Sequence, residues 1–169
     1  MGAGILPVAI HKGQLYFLFG KENRHADTPG WADFGGGNEA GESDYETATR
    51  EGAEELTGFL GTQPQIKASL RKTGTFIIDS GETRGYRVHV MPVEYDEALP
   101  RYYNANQRFL QMRLDPNVYR TSKLFEKGEI AWFTAEEMVR KKRQFRNYYR
   151  KIVDLIYAAR HDIKRLLKN

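Results

Sequence analysis

The chain of 169 residues carries no cysteine, which excludes disulfide frameworks, thiolate nucleophiles and zinc–cysteine sites. Its 40% hydrophobic and 12% aromatic content is that of a folded protein, and the length leaves room for one sizeable core, so a single domain spanning residues 1–169 is expected. A net charge of +4 conceals an asymmetry: residues 1–100 hold 9 Lys+Arg and 15 Asp+Glu, net −6, whereas residues 101–169 hold 17 and 7, net +10. The acidic half could hold a cation; the basic half could hold a polyanion beside it, or serve solubility alone. No apolar run approaches the roughly 20 residues of a membrane helix, and the N-terminus lacks a basic-then-apolar signal segment, so a cytoplasmic protein is expected.

In chain order, Ile5–Ile10 and Leu15–Gly20 read as two strands, joined into a hairpin by the turn His11-Lys12-Gly13-Gln14. A polar stretch ending in Pro29-Gly30 follows, then Trp31–Phe34 leads into Gly35-Gly36-Gly37. Ser43 and Glu46 form a capping box that opens a helix. Residues Gln65–Ile78 and Tyr86–Tyr95 are β-rich and predict a second antiparallel pair around Asp79–Glu82. Periodicity is weak over 97–124, which predicts a short helix near Gln107–Met112 within a long loop. Ile130–Phe133 reads as a final short strand, with Thr134 and Glu137 capping the helix that begins at Ala135. Phe145–Leu167 predicts a long amphipathic helix, with Ile152, Leu155, Ile156, Ala159, Ile163 and Leu166 on its apolar face. This order suits an α/β sandwich with a mixed sheet between helices and a long C-terminal helix.

The first helix carries the chemistry. Glu51, Glu54 and Glu55 are spaced by three and four residues, which at roughly 100° per residue sets three carboxylates along one stripe. Like charges so placed repel. A divalent cation relieves the repulsion, and Mg²⁺ commonly joins one or two carboxylates to substrate phosphates. A solvated acidic face is the plainer reading of three glutamates alone; the glycine loop, Glu42 and Arg50 at fixed offsets argue against it.

Gly36, then Glu42 six residues on, then Arg50-Glu51 and Glu54-Glu55 resemble the signature of the Nudix hydrolases with no gap. Two positions depart from it. Gly52 stands where an aliphatic residue is usual, which predicts a close backbone contact there. The closing glycine, Gly58, comes one residue late behind Leu56-Thr57, so the helix exit should have its own geometry. The resemblance implies the Nudix α/β/α sandwich and hydrolysis of a phosphoanhydride in a nucleoside diphosphate-linked or similarly polyphosphorylated substrate. It implies Mg²⁺, with Mn²⁺ as a substitute, held by Glu51, Glu54, Glu55 and the carbonyl of Gly36. Arg50 and Glu42 would support the carboxylate geometry, although Glu42 also suits the positive end of the helix dipole.

A further acid, Glu129 or its neighbour Glu126, is a candidate fourth ligand or general base, or a solvated turn residue. Lys21, Arg24, Trp31 and Arg87 are candidate substrate contacts, Trp31 either stacking on a base or packing in the core. Arg84 and Tyr86 could edge the same cleft, and His25 and His89 could act in catalysis or merely pack. The basic, aromatic stretch Arg140–Lys151 would suit RNA, a phosphorylated inositol, or a solvated helix face. Capped RNA (decapping) or diphosphoinositol phosphate is therefore favoured as substrate over a neutral nucleotide sugar; the alternatives are a nucleotide, dinucleoside polyphosphate or ADP-ribose pyrophosphatase, and an inactive nucleotide- or RNA-binding module. The sequence does not determine an oligomeric state.

Overall fold

The computed structural model describes residues 1–23, 26–81, 85–122 and 125–168; the candidates Arg24, His25 and Arg84 lie outside the described residues. Strands β1 (Gly2–His11) and β2 (Gln14–Glu22) form the expected hairpin. Lys12 and Gly13 take φ of 48° and 76°, the paired positive values that a tight hairpin turn requires. β3 (Trp31–Ala32) and β4 (Phe34–Gly37) follow, then helices α1 (Asp44–Glu55) and α2 (Gln63–Thr73), strands β5 (Phe76–Asp79) and β6 (Tyr86–Pro92), and helices α3 (Ala98–Arg113) and α4 (Pro116–Thr121). β7 (Lys127–Thr134), α5 (Ala135–Arg140) and α6 (Tyr149–Leu166) complete the order.

One mixed sheet runs β3-β2-β1-β6-β5, with β4 paired to β1 and β7 paired to β2. β1 is parallel to β6 and antiparallel to β2 and β4. Side-chain alternation splits the core between the two faces. Leu6, Val8, Phe17, Phe19, Val88 and Val90 face α5 and α6, where Met138, Ile152, Val153 and Ile156 meet them. Their neighbours Ile5, Leu18 and Phe34 turn the other way, against Ala48 of α1 and Leu56 just past its end, Ile66 and Leu70 of α2 and Tyr103 of α3. The result is the expected α/β/α sandwich. Among the described residues no helix is long and apolar enough to cross a membrane.

Three expectations need correction. The stretch predicted as β-rich from Gln65 is helix α2 up to Thr73; only Phe76–Asp79 is strand, antiparallel to β6. Thr62 starts that helix with Pro64 in its first turn, the Thr62 amide donates to Gln65 Oε1 at 2.8 Å, and Ile66 and Leu70 bury one face. Residues 98–113 form a four-turn helix rather than a short one, but only Tyr103 and Gln107 are buried on it, so its hydrophobic stripe is faint. The last helix starts at Tyr149, not Phe145. Phe145 instead runs beside β3: the Arg146 amide donates to the Trp31 carbonyl at 3.1 Å. Gly30 permits that approach, since a Cβ there would lie 2.7 Å from the Arg146 amide nitrogen.

Candidate active site

The glycine strand β4 ends beside the N-terminus of α1. Ser43 caps the helix as its sequence predicts, its amide donating to Glu46 Oε2 at 3.0 Å. Asn38 Nδ2 donates to Asp44 Oδ1 at 2.8 Å and fixes the loop to the helix start. Two turns in, Gly52 faces β1: a Cβ there would lie 2.7 Å from Ile5 Cγ1, so the helix backbone sits directly on the sheet. This is the close contact that the departure at Gly52 predicts. It holds α1 close enough to bring its glutamates to the glycine strand.

Arg50 organises one side of the helix. Its Nε and Nη2 donate to the two oxygens of Glu42 at 2.8 and 2.9 Å, and its Nη1 donates to Glu51 Oε1 at 2.8 Å. The same Nη1 lies 3.6 Å from Glu54 Oε2, so Glu51 and Glu54 converge on one nitrogen. The guanidinium hydrogen bonds, then that from Thr47 Oγ1, hold Glu42 down to about 2. Such a carboxylate stays ionised and acceptor-only, which suits a buttress. Glu51 packs against Gly36, where a Cβ would fall 2.6 Å from Glu51 Oε1. A side chain at 36 would push the carboxylate out of place.

Glu55 does not join this group. Its side chain is 4% exposed and its Oε1 lies 3.1 Å from Nζ of Lys127, whose own side chain is wholly buried. Lys127 also pairs with Glu22, whose same oxygen Arg146 Nη1 reaches at 2.9 Å. Burial pushes the Glu55 carboxyl upward, with Lys127 opposing. Burial would lower the Lys127 amine, but Glu55 and Glu22 outweigh it and hold the amine charged. A chain Arg146–Glu22–Lys127–Glu55 thus runs through the end of the sheet. Nearby, Asp33 is wholly buried; it accepts from the Tyr86 hydroxyl at 2.8 Å, and burial pushes it up to about 7 against Tyr86 and Lys127.

The other candidates fall elsewhere. Glu129 and Lys21 are register partners on β7 and β2 and pair at 3.5 Å, both about half exposed. Glu126 lies in the turn before β7, where its carbonyl accepts from the Asn23 amide at 2.8 Å. Trp31 is 5% exposed and packs edge-on against Phe133, so its face is not offered to a base; Lys21 lies 5.7 Å from its ring centre. Arg87 is committed to Asp44 and Asp79, tying β6 to the start of α1 and to β5. His89 is buried edge-on to Tyr45, and burial lowers its pKa.

The basic stretch 140–151 is not one helix face. Lys142 pairs with Asp154 and Arg146 turns inward to Glu22, while Arg143 and Arg150 line a cavity of about 710 Å³ with Lys21, Asn147 and Tyr148. Among the described residues Arg150 donates to the carbonyls of Phe145 and Arg143, at 3.2 and 2.9 Å. Tyr148 is 43% exposed. Sequence reasoning missed Glu22, Asp33 and Lys127. A register shift at Lys21/Glu22 sets Lys21 opposite Glu129 and Glu22 opposite Lys127, which breaks the two-residue alternation that would have marked Lys127 as internal.

No protein-family model and no curated protein matches the chain. Solved structures do. A C. elegans Ap4A hydrolase, in a binary complex, aligns with TM-score 0.59 at 13% identity over 96% of this chain and 98% of that one. RenU, a Nudix hydrolase from M. smegmatis, aligns with TM-score 0.55 at 12% identity over 96% and 87%. A MutT/Nudix family protein from Listeria innocua aligns with TM-score 0.50 at 17% identity over 97% and 94%. The fold is that of the Nudix hydrolases.

Proposed function

We propose that residues 1–169 act as one Nudix unit, a divalent-metal-dependent hydrolase of a phosphoanhydride bond. The observation that carries this reading is the convergence of Glu51 and Glu54 on Arg50 beside Gly36, on the Nudix fold. Among the described residues no three acidic or histidine side chains form a ready metal cage. Glu51 and Glu54 nonetheless fit Mg²⁺, an ion that takes one or two carboxylates and completes its shell with water and substrate phosphate. The missing Cβ of Gly36 lets the Glu51 carboxylate lie against the glycine strand, and Glu54 beside it is 40% exposed. Glu51, Glu54 and the Gly36 carbonyl would hold Mg²⁺ or Mn²⁺. Such an ion would supply charge neutralisation for phosphate oxygens and a more acidic water. Arg50 and Glu42 position the two carboxylates, and Glu129 is the candidate general base.

The cavity supports a phosphorylated substrate with an aromatic group. Among the lining residues Lys21, Arg143 and Arg150 supply positive charge against the single acid Asp27, and the half-exposed Tyr148 supplies aromatic surface. Its volume is within the usual range for small-molecule sites, roughly 300–1,000 Å³. With the basic residues gathered at a pocket rather than along a helix, a dinucleoside or nucleoside polyphosphate is favoured over capped RNA. Mass spectrometry of products from dinucleoside polyphosphates, ADP-ribose, NTPs, capped RNA and diphosphoinositols tests this. Glu54→Gln should lower the rate by at least about a hundredfold while the protein stays folded. An unchanged rate would overturn the assignment. One observation favours the second reading, a binding module without turnover: Glu55 is already neutralised by Lys127. Nucleotide binding with no product from any substrate of the panel would establish it.

A further inference from the structure

We propose that helix α3 presents a second apolar seam to solvent, and that this seam docks an acidic amphipathic helix of a partner protein. The inner side of α3 is fixed to β7. The Tyr103 hydroxyl donates to the Lys127 carbonyl at 2.9 Å, Asn104 Nδ2 donates to the Ile130 carbonyl at 3.0 Å, and the Ile130 amide donates back to Asn104 Oδ1 at 2.8 Å. The opposite side carries Ala98, Tyr102, Ala105, Phe109 and Met112, spaced by four, three, four and three residues. That alternation, 3.5 residues on average, is the repeat of a coiled-coil seam. It faces solvent: Tyr102, Phe109 and Met112 are 65%, 54% and 75% exposed. Small residues alternate with large ones along it, which leaves notches between the large side chains. A groove of about 330 Å³ is lined by Ala105, Arg108, Phe109, Gln111 and Met112. Four of these, Ala105, Arg108, Phe109 and Met112, stand at i, i+3, i+4 and i+7, the kind of four-residue hole that receives one knob of a facing helix.

The charges beside the seam specify the partner. Arg101 and Arg108 run along one edge and Arg113 borders the other, while the helix itself carries no acid. The Arg101 guanidinium lies 4.9 Å from the centre of the Tyr102 ring, and among the described residues Arg108 and Arg113 are in no ion pair. Charges at such edges set partner choice and orientation. A second copy is disfavoured on this ground: Arg108 would meet Arg113 in a parallel pair, and Arg101 would meet Arg108 in an antiparallel one. Glutamates along the edges of a partner helix would meet all three arginines. The narrow seam also fits a helix better than a lipid surface, which interfacial helices meet with a broad apolar face.

The probe is a synthetic helical peptide of about three heptads, with leucine at its seam positions and glutamate at their edges. Fluorescence anisotropy follows its titration with the intact protein. Saturable binding is expected, weakened at least about tenfold by Phe109→Ser combined with Met112→Ser. Arg108→Glu combined with Arg113→Glu should weaken this peptide at least about tenfold and create binding of a lysine-edged peptide with the same seam. All four side chains are exposed, so the variants should keep the fold, as circular dichroism would verify. No binding of the glutamate-edged peptide, or equal binding of both peptides by the parent protein, overturns the proposal. A dimer seen by analytical ultracentrifugation and lost in Phe109→Ser with Met112→Ser would make the occupant a second copy. Binding to phosphatidylserine vesicles lost in that variant would make it a membrane. Either result overturns the proposal as well.

Discussion

On one side of α1, Arg50 gathers Glu42, Glu51 and Glu54 near the surface; on the other, Lys127 holds Glu55 and Glu22 in the interior. Glu54 and Glu55 are neighbours of one residue type, turned roughly 100° apart about the helix axis. That rotation is enough to give them different surroundings, 40% exposed against 4%. Near water, a guanidinium can share its fork among several carboxylates and still leave them accessible to another ion. In the interior each charge must be met in place, because desolvation penalises whatever is unmatched. The same motif spelling therefore yields two carboxylates gathered by a guanidinium and one held in the interior by an ammonium.

The comparison is broken most forcefully at Lys127. Lys127→Met leaves Glu55 and Glu22 buried without their shared partner and should cost about 3–5 kcal/mol of stability, read from urea unfolding. Lys21→Met, removing a half-exposed pair with Glu129, should cost less than about 1 kcal/mol. Equal losses would mean that burial is not what distinguishes the two sites.

Asp33 tests the interior from another direction. Its carboxyl has a folded value of about 7, above the ordinary unfolded value of roughly 3.9. As pH rises from about 4, the unfolded chain gives up this proton first while the folded protein keeps it. Stability therefore falls up to about pH 7 and then levels. Asp33→Asn should remove that slope, making the variant more stable than the parent at pH 8 by an amount on the order of a few kcal/mol and close to it at pH 4. Parallel stability curves for the two proteins would contradict the assignment.

Much of this was legible in the sequence because it depends on local geometry. Ser43/Glu46 and Thr134/Glu137 cap helices, Lys12-Gly13 turns a hairpin, and the spacing of Glu42, Arg50 and Glu51 brings those three side chains together. Helix α2 carried its own signals, Thr62, Pro64, Gln65 and a terminal Gly74, but Phe76–Ile78 beyond it extended a β reading backwards across them. Helix α3 hides because its core-facing stripe includes Gln107. The interior charge chain was not legible. Glu22, Lys127 and Arg146 are 105 and 124 residues apart in the pairs they make, and a register shift displaces the alternation just where Lys127 enters.

At the cavity the contrast between committed and available cations can be tested within one short stretch. Arg143→Ala and Arg150→Ala should each weaken binding of a nucleoside polyphosphate about tenfold and reduce its sensitivity to salt. Lys142→Ala should do neither, since Lys142 is paired with Asp154 outside the cavity lining. Isothermal titration with a non-hydrolysable analogue provides the measurement. An equal effect from all three would indicate diffuse attraction to a basic surface instead of a pocket.

The smallest effect concerns the way α1 ends. The helix stops at Glu55, and Thr57 takes a left-handed φ of 52° before Gly58 at 78°. The Gly58 amide donates to the Ala53 carbonyl at 3.1 Å, so the chain turns back over the last helical turn. The usual signature places glycine at 57; here a β-branched threonine holds the strained position, and the glycine that follows supplies a second left-handed residue. Thr57→Gly should raise stability by about 1 kcal/mol by relieving this conformation, less what the added freedom of the unfolded chain takes back. Gly58→Ala should lower it by a similar amount through backbone strain alone, since a Cβ at 58 would meet nothing within 4 Å. Mn²⁺ affinity should stay unchanged in both variants, because the exit lies beyond Glu55 whereas Glu51 and Glu54 are fixed by Arg50 and by the seat of Gly52 on Ile5.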